Sequence, residues 1–269
     1  MSDCLIDPVR LSALLGAGRG RFDVVALPEC DSTNAVLLQQ SASAPSGRVI
    51  VADRQTAGRG RRGRVWHSAP ADTLTFSLLW RLSNEPARIA GLSLAVGVAV
   101  AQALEHCGVA GVGLKWPNDV LLGASGAGKL GGILIELASD RAATAAIIGI
   151  GLNLHQPPAA DGFGLPAAAL DAAGPVPERH VLLAALLDAL ACTLDRFVAG
   201  GFAAVRDDWQ SRHVWQERPV RLLGDSTTTD SAVVEGRCLG ADSDGALLLA
   251  LPDGRIERYL VGDVSLRAA

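Results

Sequence analysis

The chain has 269 residues, 49% of them hydrophobic and 19% charged, with a formal net charge of −4 and a pI near 5.7. That length suits one large domain, or a large domain and a small one, and the apolar content supports a buried core and excludes global disorder. The acidic balance excludes a chain-wide electrostatic grip on nucleic acid, though not a local basic patch.

In chain order, Asp7-Pro8 reads as a helix cap followed by a first-turn proline, with Gly16 as the stop. A strand follows over Asp23–Leu27, Asp31-Ser32-Thr33-Asn34 opens a helix through Gln40, and Arg48–Asp53 is a strand. Gln55 to Arg64 is a loop by its glycines. Thr73–Arg81 alternates, Leu74, Phe76, Leu78 and Trp80 against Thr75 and Ser77, and predicts a half-buried strand. Ile89–His106 is a core helix closed by Gly108. Its most apolar part, Leu92 to Leu104, falls short of the ~20 residues a membrane span needs. Val112–Trp116, Lys129–Leu137 and Ala145–Ile150 are strands, 156–177 is a loop, and Glu178–Val198 is a helix. From about His213 the texture changes to short strands (Val220–Leu223, Ala232–Leu239, Ala246–Leu251, Ile256–Leu260) separated by Asp-Gly turns. The division is therefore a large α/β unit over 1–212 and a small β-barrel over 213–269.

Cys4, Cys30, Cys107, Cys192 and Cys238 are scattered and form no CxxC pair, which speaks against a disulfide framework or a zinc cluster and fits a reducing cytosol. The opening MSDCLIDPVR has no basic start followed by an apolar run, so no secretory signal is visible.

Three segments carry chemistry. Arg59, Arg61, Arg62 and Arg64, interleaved with Gly58, Gly60 and Gly63, combine close backbone approach with fixed guanidinium forks. Such a loop suits a carboxylate or a phosphate, and equally a solvated basic turn. Lys115-Trp116-Pro117-Asn118-Asp119 places a lysine at a strand end beside a tight turn; taken alone, it reads best as an ordinary turn with a surface lysine. Gly149-Ile150-Gly151-Leu152-Asn153 leaves one strand face bare, for a flat ligand or for a close strand–helix crossing. Gly123 to Lys129 imitates the start of a P-loop. However, Leu130 stands where Ser or Thr should hold magnesium, and a strand pattern follows instead of a helix, so a hairpin turn is the better reading. The five histidines show no metal-ligand spacing, and Asp31 and Glu136 are candidate acids without a visible partner.

Together these segments, with Lys129-Leu-Gly-Gly-Ile-Leu-Ile-Glu136 between the last two, resemble the biotin–protein ligases, strongly over about residues 24 to 155 and more loosely beyond. The resemblance implies a mixed-sheet α/β catalytic domain followed by an SH3-like β-barrel. It implies activation of biotin with ATP and Mg2+ to biotinyl-5′-AMP, then transfer to a lysine of a biotin carboxyl carrier domain. Carried over position by position, Ser32, Thr33, Asn34, Gln55, Gly58 and Gly132 would line the biotin pocket, with Gly149 and Gly151 where it meets the nucleotide. Arg59, Gly60 and Arg61 would close over both ligands. Lys115 would sit between the biotin carboxylate and the α-phosphate, and with Arg59 and Arg61 would carry catalysis. Arg62, Arg64, Trp66, Asn118 and Asn153 would belong to the nucleotide side. No metal ligand is implied. Only about 22 residues precede the first catalytic strand, too few for the winged helix of the repressor members. The expectation is therefore a monofunctional, cytoplasmic enzyme without DNA or membrane binding, either a monomer or a weak homodimer. The rivals are a lipoate or octanoate ligase of the same fold, a nucleic-acid-binding regulator and a non-catalytic biotin sensor.

Overall fold

The computed structural model describes residues 4–82, 89–124, 126–139, 144–155, 165–223, 233–260 and 265–268. The first part, 156–164, of the loop expected over 156–177, and Ser125 and Ala232, lie outside the described residues; the rest of that loop contains a short 3-10 turn at Leu170–Ala173.

Helix α1 (Pro8–Leu14) is capped by Asp7, whose side chain accepts from the Val9 N–H. The same capping residue donates its backbone N–H to His180 Nε2 at 2.9 Å, which ties the first helix to the last long one. There follow β1 (Asp23–Cys30), α2 (Thr33–Gln40), β2 (Arg48–Gln55) and β3 (Thr73–Leu82). Next come α3 (Leu92–His106), β4 (Val112–Lys115), β5 (Asp119–Leu122), β6 (Gly128–Ser139) and β7 (Thr144–Asn153). The seven strands form one mixed sheet in the order β1-β2-β3-β7-β6-β5-β4, in which only β1 and β2 run parallel.

One face of the sheet is covered by α2, with Leu37 packed among Ile50, Leu79, Ala145 and Ile147. The other carries α3 and α4 (Arg179–Gly200) over Leu74, Phe76, Leu78 and Trp80. Strand β3 is therefore buried on both faces, not half-buried as its alternation suggests. The polar face holding Thr75 and Ser77 is turned into the protein and satisfied by side-chain hydrogen bonds instead of water. Helix α3 begins at Leu92, later than expected, because Gly91 adopts a left-handed φ of 77° against Phe202, where a Cβ would lie 2.6 Å from that residue's own Cβ.

The imitation P-loop is the β5–β6 turn. Leu121 pairs with Lys129 and Leu122 with Gly128, so the chain runs from the turn into a strand and forms no phosphate-binding helix start.

Beyond α4 and the short α5 (Arg206–Gln210) lie β8 (Pro219–Leu223), β9 (Val233–Ala241), β10 (Leu247–Ala250), β11 (Ile256–Tyr259) and β12 (Ser265–Ala268). They form a five-stranded antiparallel sheet in the order β11-β10-β9-β8-β12. This sheet shares the main core, with Val220, Leu222, Cys238, Leu247 and Leu266 all within it, and the Trp116 Nε1 donates to Gly245 O at 3.1 Å across the junction.

His213 is a second seam between the two sheets. Its backbone bridges Leu114 of β4, its ring stacks on Trp209 with centroids 4.5 Å apart, and Nδ1 faces Cys238 Sγ at 4.0 Å. Burial pushes the ring's pKa down to about 4, against a hydrogen bond with Gln216 that works to raise it. A base whose folded pKa is depressed stays neutral while the unfolded chain takes up a proton, so stability falls as pH drops through about 6.5 toward 4. We expect urea unfolding at pH 5 to show a loss of about 2 kcal/mol relative to pH 7 from this residue alone. His213→Phe should flatten that part of the slope, and an unchanged slope would show that other groups carry it.

Candidate active site

A single cleft gathers the segments singled out by sequence. It is lined by Ser32, Thr33, Asn34 and Gln55, by Arg59 through Arg62, by Arg64 and Trp66, by Lys115 and Asn118, and by Gly132, Gly149, Gly151 and Asn153. Gly58 is set one layer back, where a Cβ would meet the Trp66 carbonyl at 2.4 Å and Gln55 Nε2 at 3.0 Å. Its missing side chain lets the arginine segment fold back on itself.

That segment is a compact hairpin and not an open loop. Gly60 N–H donates to Arg64 O at 2.7 Å, Trp66 N–H to Gly58 O at 2.9 Å, and Arg59 bridges Val65. Its tip is a short 3-10 turn in which Arg62 and Gly63 both take left-handed φ values of 58° and 66°. The hairpin is pinned at two places. Arg59 pairs with Glu136 at 3.2 Å, and Arg61 Nη1 donates to Asn118 Oδ1 at 3.2 Å, while Asn118 in turn donates to Ile133 O.

One part of the cleft is uncharged. Ser32 occupies the N-cap position of α2 but makes no capping hydrogen bond, which leaves its buried hydroxyl for the cleft. Thr33 N–H donates to Gln55 Oε1 at 2.8 Å, and the Thr33 and Ser77 hydroxyls are 2.7 Å apart. Ser77 donates to Asn34 Oδ1 at 2.6 Å, and Asn34 Nδ2 donates to Glu136 at 2.8 Å. The two alternate glycines of β7 accommodate side chains of the protein itself. A Cβ on Gly149 would stand 2.4 Å from Asn34 Oδ1, and one on Gly151 would stand 2.5 Å from the Trp66 indole. Of the two readings of the glycine pair, the close approach of the protein's own groups is the one seen, and it shapes the cleft wall.

The other part is charged. The β4–β5 hairpin pairs Lys115 with Asp119 and turns through Trp116-Pro117-Asn118, with a cis Trp116–Pro117 bond. Lys115 is not a surface lysine: it is only 4% exposed, 2.8 Å from Asp119 Oδ2 and 5.4 Å from the centre of the Trp215 ring. Lys129 reaches the other oxygen of Asp119 at 2.6 Å. Burial lowers the Lys115 pKa, partly offset by Asp119. For Asp119, burial works upward, but Lys129 and Lys115 outweigh it and hold the carboxyl at about 2. Arg267, from β12, lines the same end; burial and the nearby charge of Arg64 lower its pKa. Two lysines and several guanidiniums around one carboxylate leave a net positive field, suited to an anion.

Across the sheet, Gly151 pairs with Gly132 and Gly132 with Asp119, which sets the charged end about 10 Å from Gly151 at ordinary strand spacing. Gly149, beneath Asn34, lies a further ~7 Å along β7. Asn153 points away from the neutral part, donating to Ala168 O at 2.9 Å. Sequence alone gives no site role to Lys129, Asp119, Ser77 or Arg267 and names Glu136 only as a candidate acid without a partner, although Lys129, Asp119 and Glu136 lie within the segments that carry the resemblance.

The chain is similar in sequence and fold to known proteins. Residues 26–153 match the Biotin/lipoate A/B protein ligase family, and residues 218–267 match the Biotin protein ligase C terminal domain. The bifunctional ligase/repressor BirA of Salmonella typhimurium is 37% identical over 98% of this chain and 79% of its own length. The biotin–[acetyl-CoA-carboxylase] ligase of Paracoccus denitrificans is 34% identical over 85% of this chain and 95% of its own. The chain belongs to the biotin–protein ligase family. A biotin protein ligase of Aquifex aeolicus, solved with biotin and ATP, superposes with a TM-score of 0.76 at 31% identity, covering 92% of this chain and 99% of that one. The biotin–protein ligase fold thus accounts for both sheets, and the chain is a ligase that acts on biotin. Among the described residues no helix is long and apolar enough to cross a membrane.

Proposed function

We propose that this ligase joins biotin to ATP as biotinyl-5′-AMP and transfers it to a lysine of a biotin carboxyl carrier domain. The observation that carries the reading is the pairing of a neutral hydrogen-bonding floor with a buried, lysine-rich end in one cleft, bridged by an arginine hairpin. A carboxylic acid with a polar uncharged head suits that polarity, with its head on Thr33, Asn34 and Gln55 and its carboxylate toward Lys115.

The first step brings a carboxylate oxygen onto the α-phosphorus and expels pyrophosphate. Both partners are anionic, so their repulsion must be neutralised and their approach aligned. Lys115, Arg59 and Arg61 supply fixed positive charge that needs no reorganisation in the transition state. Trp66, stacked on bare Gly151, offers an apolar wall for the base, with Arg62, Arg64, Asn118 and Asn153 around the nucleotide. Among the described residues no three His, Cys, Asp or Glu side chains form a metal cage, and both Asp119 oxygens are taken by lysines. Magnesium is therefore assigned to the nucleotide's phosphates, as part of the substrate MgATP. In the second step the neutral acceptor amine attacks the acyl carbon, the bond from that carbon to the phosphate oxygen breaks, AMP leaves, and the amine's surplus proton passes to solvent. The unit over 1–212 holds the cleft, and the unit from 213 closes one side through Arg267.

Pyrophosphate exchange into ATP, run with biotin, with lipoate and with neither, tests the first step; exchange with biotin alone is expected. Exchange with lipoate instead would overturn the head-group assignment. The second step is tested by mass spectrometry of a carrier domain, where a single biotinylated lysine is expected and none would exclude that acceptor. Gly151→Ala should displace Trp66 and raise the KM for ATP roughly tenfold, about 1.4 kcal/mol, with a smaller change for biotin. Equal effects on both substrates would place Trp66 elsewhere.

A further inference from the structure

The chain contains two lysines, Lys115 and Lys129, and its other 22 cationic side chains are arginines. Both lysines line the cleft, and both bind one carboxylate: Lys115 Nζ lies 2.8 Å from Asp119 Oδ2, and Lys129 Nζ lies 2.6 Å from Asp119 Oδ1. The proposed intermediate is an acyl phosphate whose task is to acylate a lysine amine. A guanidinium keeps its proton near neutrality and does not compete as an acceptor. The hairpin over the cleft carries its charge on Arg59, Arg61, Arg62 and Arg64, which neutralise phosphate without offering a nucleophile. The side-chain amines of this chain that the intermediate can acylate are therefore the two inside the cleft where it forms.

We infer that Asp119 protects the enzyme from its own intermediate: by pairing with both cleft ammonium groups it withholds their lone pairs from the acyl carbon until an acceptor amine arrives. Lys115 is the more exposed to this hazard, because the proposed reaction places it beside that carbon and attack from there is intramolecular. Such attack would join Lys115 Nζ to the acyl carbon, break the bond from that carbon to the phosphate oxygen, release AMP and pass the amine's surplus proton to solvent. The product is an uncharged amide where adenylation needs a cation, so one event ends turnover. The groups that face Lys115 are Asp119 on β5, Lys129 on β6, Arg267 on β12 and the Trp215 ring. Burial lowers the Lys115 pKa, Asp119 opposes it, and Arg267 and Lys129 push it further down. The carboxylate is thus the one charged neighbour among these that keeps the amine protonated. Strand register holds it there: Lys115 is its direct partner across β4 and β5, and Lys129 reaches it from β6. The inference rests on the proposed adenylate and its placement beside Lys115.

The test is mass spectrometry of wild type, Asp119→Asn and Asp119→Glu after incubation with synthetic biotinyl-5′-AMP and no carrier domain. Excess free lysine is added to consume adenylate that has left the cleft, and each protein is checked for folding by thermal melting and for bound adenylate by native mass spectrometry. Asparagine keeps the shape of the side chain and loses the charge, whereas glutamate keeps the charge. We expect Asp119→Asn to take up biotin on Lys115, located by peptide mapping, roughly tenfold or more faster than wild type, with Asp119→Glu within about threefold of wild type. If Asp119→Asn does not fold, wild type decides: its own uptake at Lys115 should climb steeply from about pH 7 toward about pH 10 as the amine loses its proton, and uptake that stays flat would overturn the inference. Wild type that shows no biotin-dependent exchange, or that does not retain added biotinyl-5′-AMP, would defeat the proposed function and the inference with it. Wild type that does both, with folded Asp119→Asn taking up no more biotin than wild type or Asp119→Glu taking up as much as Asp119→Asn, would overturn the protective role alone.

Discussion

Lys115→Ala should lower biotin-dependent pyrophosphate exchange by a hundredfold or more while leaving the fold nearly intact. Lys115 is positioned by the β4–β5 hairpin, buried at the charged end of the cleft and held cationic by Asp119. In the proposed reaction it meets both the carboxylate and the α-phosphate. Charge-assisted contacts are worth about 1.5–3 kcal/mol each, and about 2.7 kcal/mol corresponds to a hundredfold in rate. Stability should change far less, because the Asp119 carboxylate keeps its other partner, Lys129, at 2.6 Å. The measurement is exchange at saturating biotin and ATP beside urea unfolding of the same protein. A loss of rate in proportion to a loss of folded protein would make Lys115 structural, and near-normal turnover would remove it from the chemistry.

The parts of this site that could be read from sequence are those in which one short segment carries its own geometry. The glycine-interrupted arginines, the helix start at Ser32-Thr33-Asn34 and the alternate glycines of β7 are local features, and each reaches the cleft. The groups that escaped are brought in by strand pairing. Ser77 looks like the solvent face of an alternating strand until α2 covers it. Glu136 lacks a partner until β6 is laid beside β7 and Asn34 sits on Gly149. Lys129 is hidden inside a false P-loop, and only the β5–β6 register carries it to Asp119. Arg267 comes from the far end of the chain, in a strand of four residues too short to show a pattern. The fold was legible where hydrophobic period and turn residues agreed. The two strands not foreseen, β5 and β12, are short, and β5 follows directly on a Pro-Asn turn that masks it.

Asp119→Ala should destabilise the fold more than Lys115→Ala or Gly151→Ala, and its activity should respond to pH in the opposite sense from a simple loss of fold. Asp119 is the counter-ion of two lysines, one of them almost completely buried. Removing one partner of a buried pair leaves an uncompensated charge and costs about 3–5 kcal/mol. The pH linkage of the wild-type protein has a defined window. With the carboxyl held at about 2, its contribution is complete above the ordinary aspartate value near 4 and is lost as pH falls through about 2. The difference amounts to roughly 2–3 kcal/mol, less than the mutational cost because protonation leaves a hydrogen-bonding carboxyl in place. The catalytic consequence runs through Lys115, whose pKa burial already lowers and which Asp119 partly restores. Without Asp119 the lysine gives up its proton more readily, so the charge that adenylation needs is lost at a lower pH than in wild type. The alkaline limb of the pH–rate profile for exchange by folded Asp119→Ala should therefore lie at lower pH than that of wild type. An unshifted alkaline limb would mean that Asp119 acts on the fold alone and does not set the charge of Lys115.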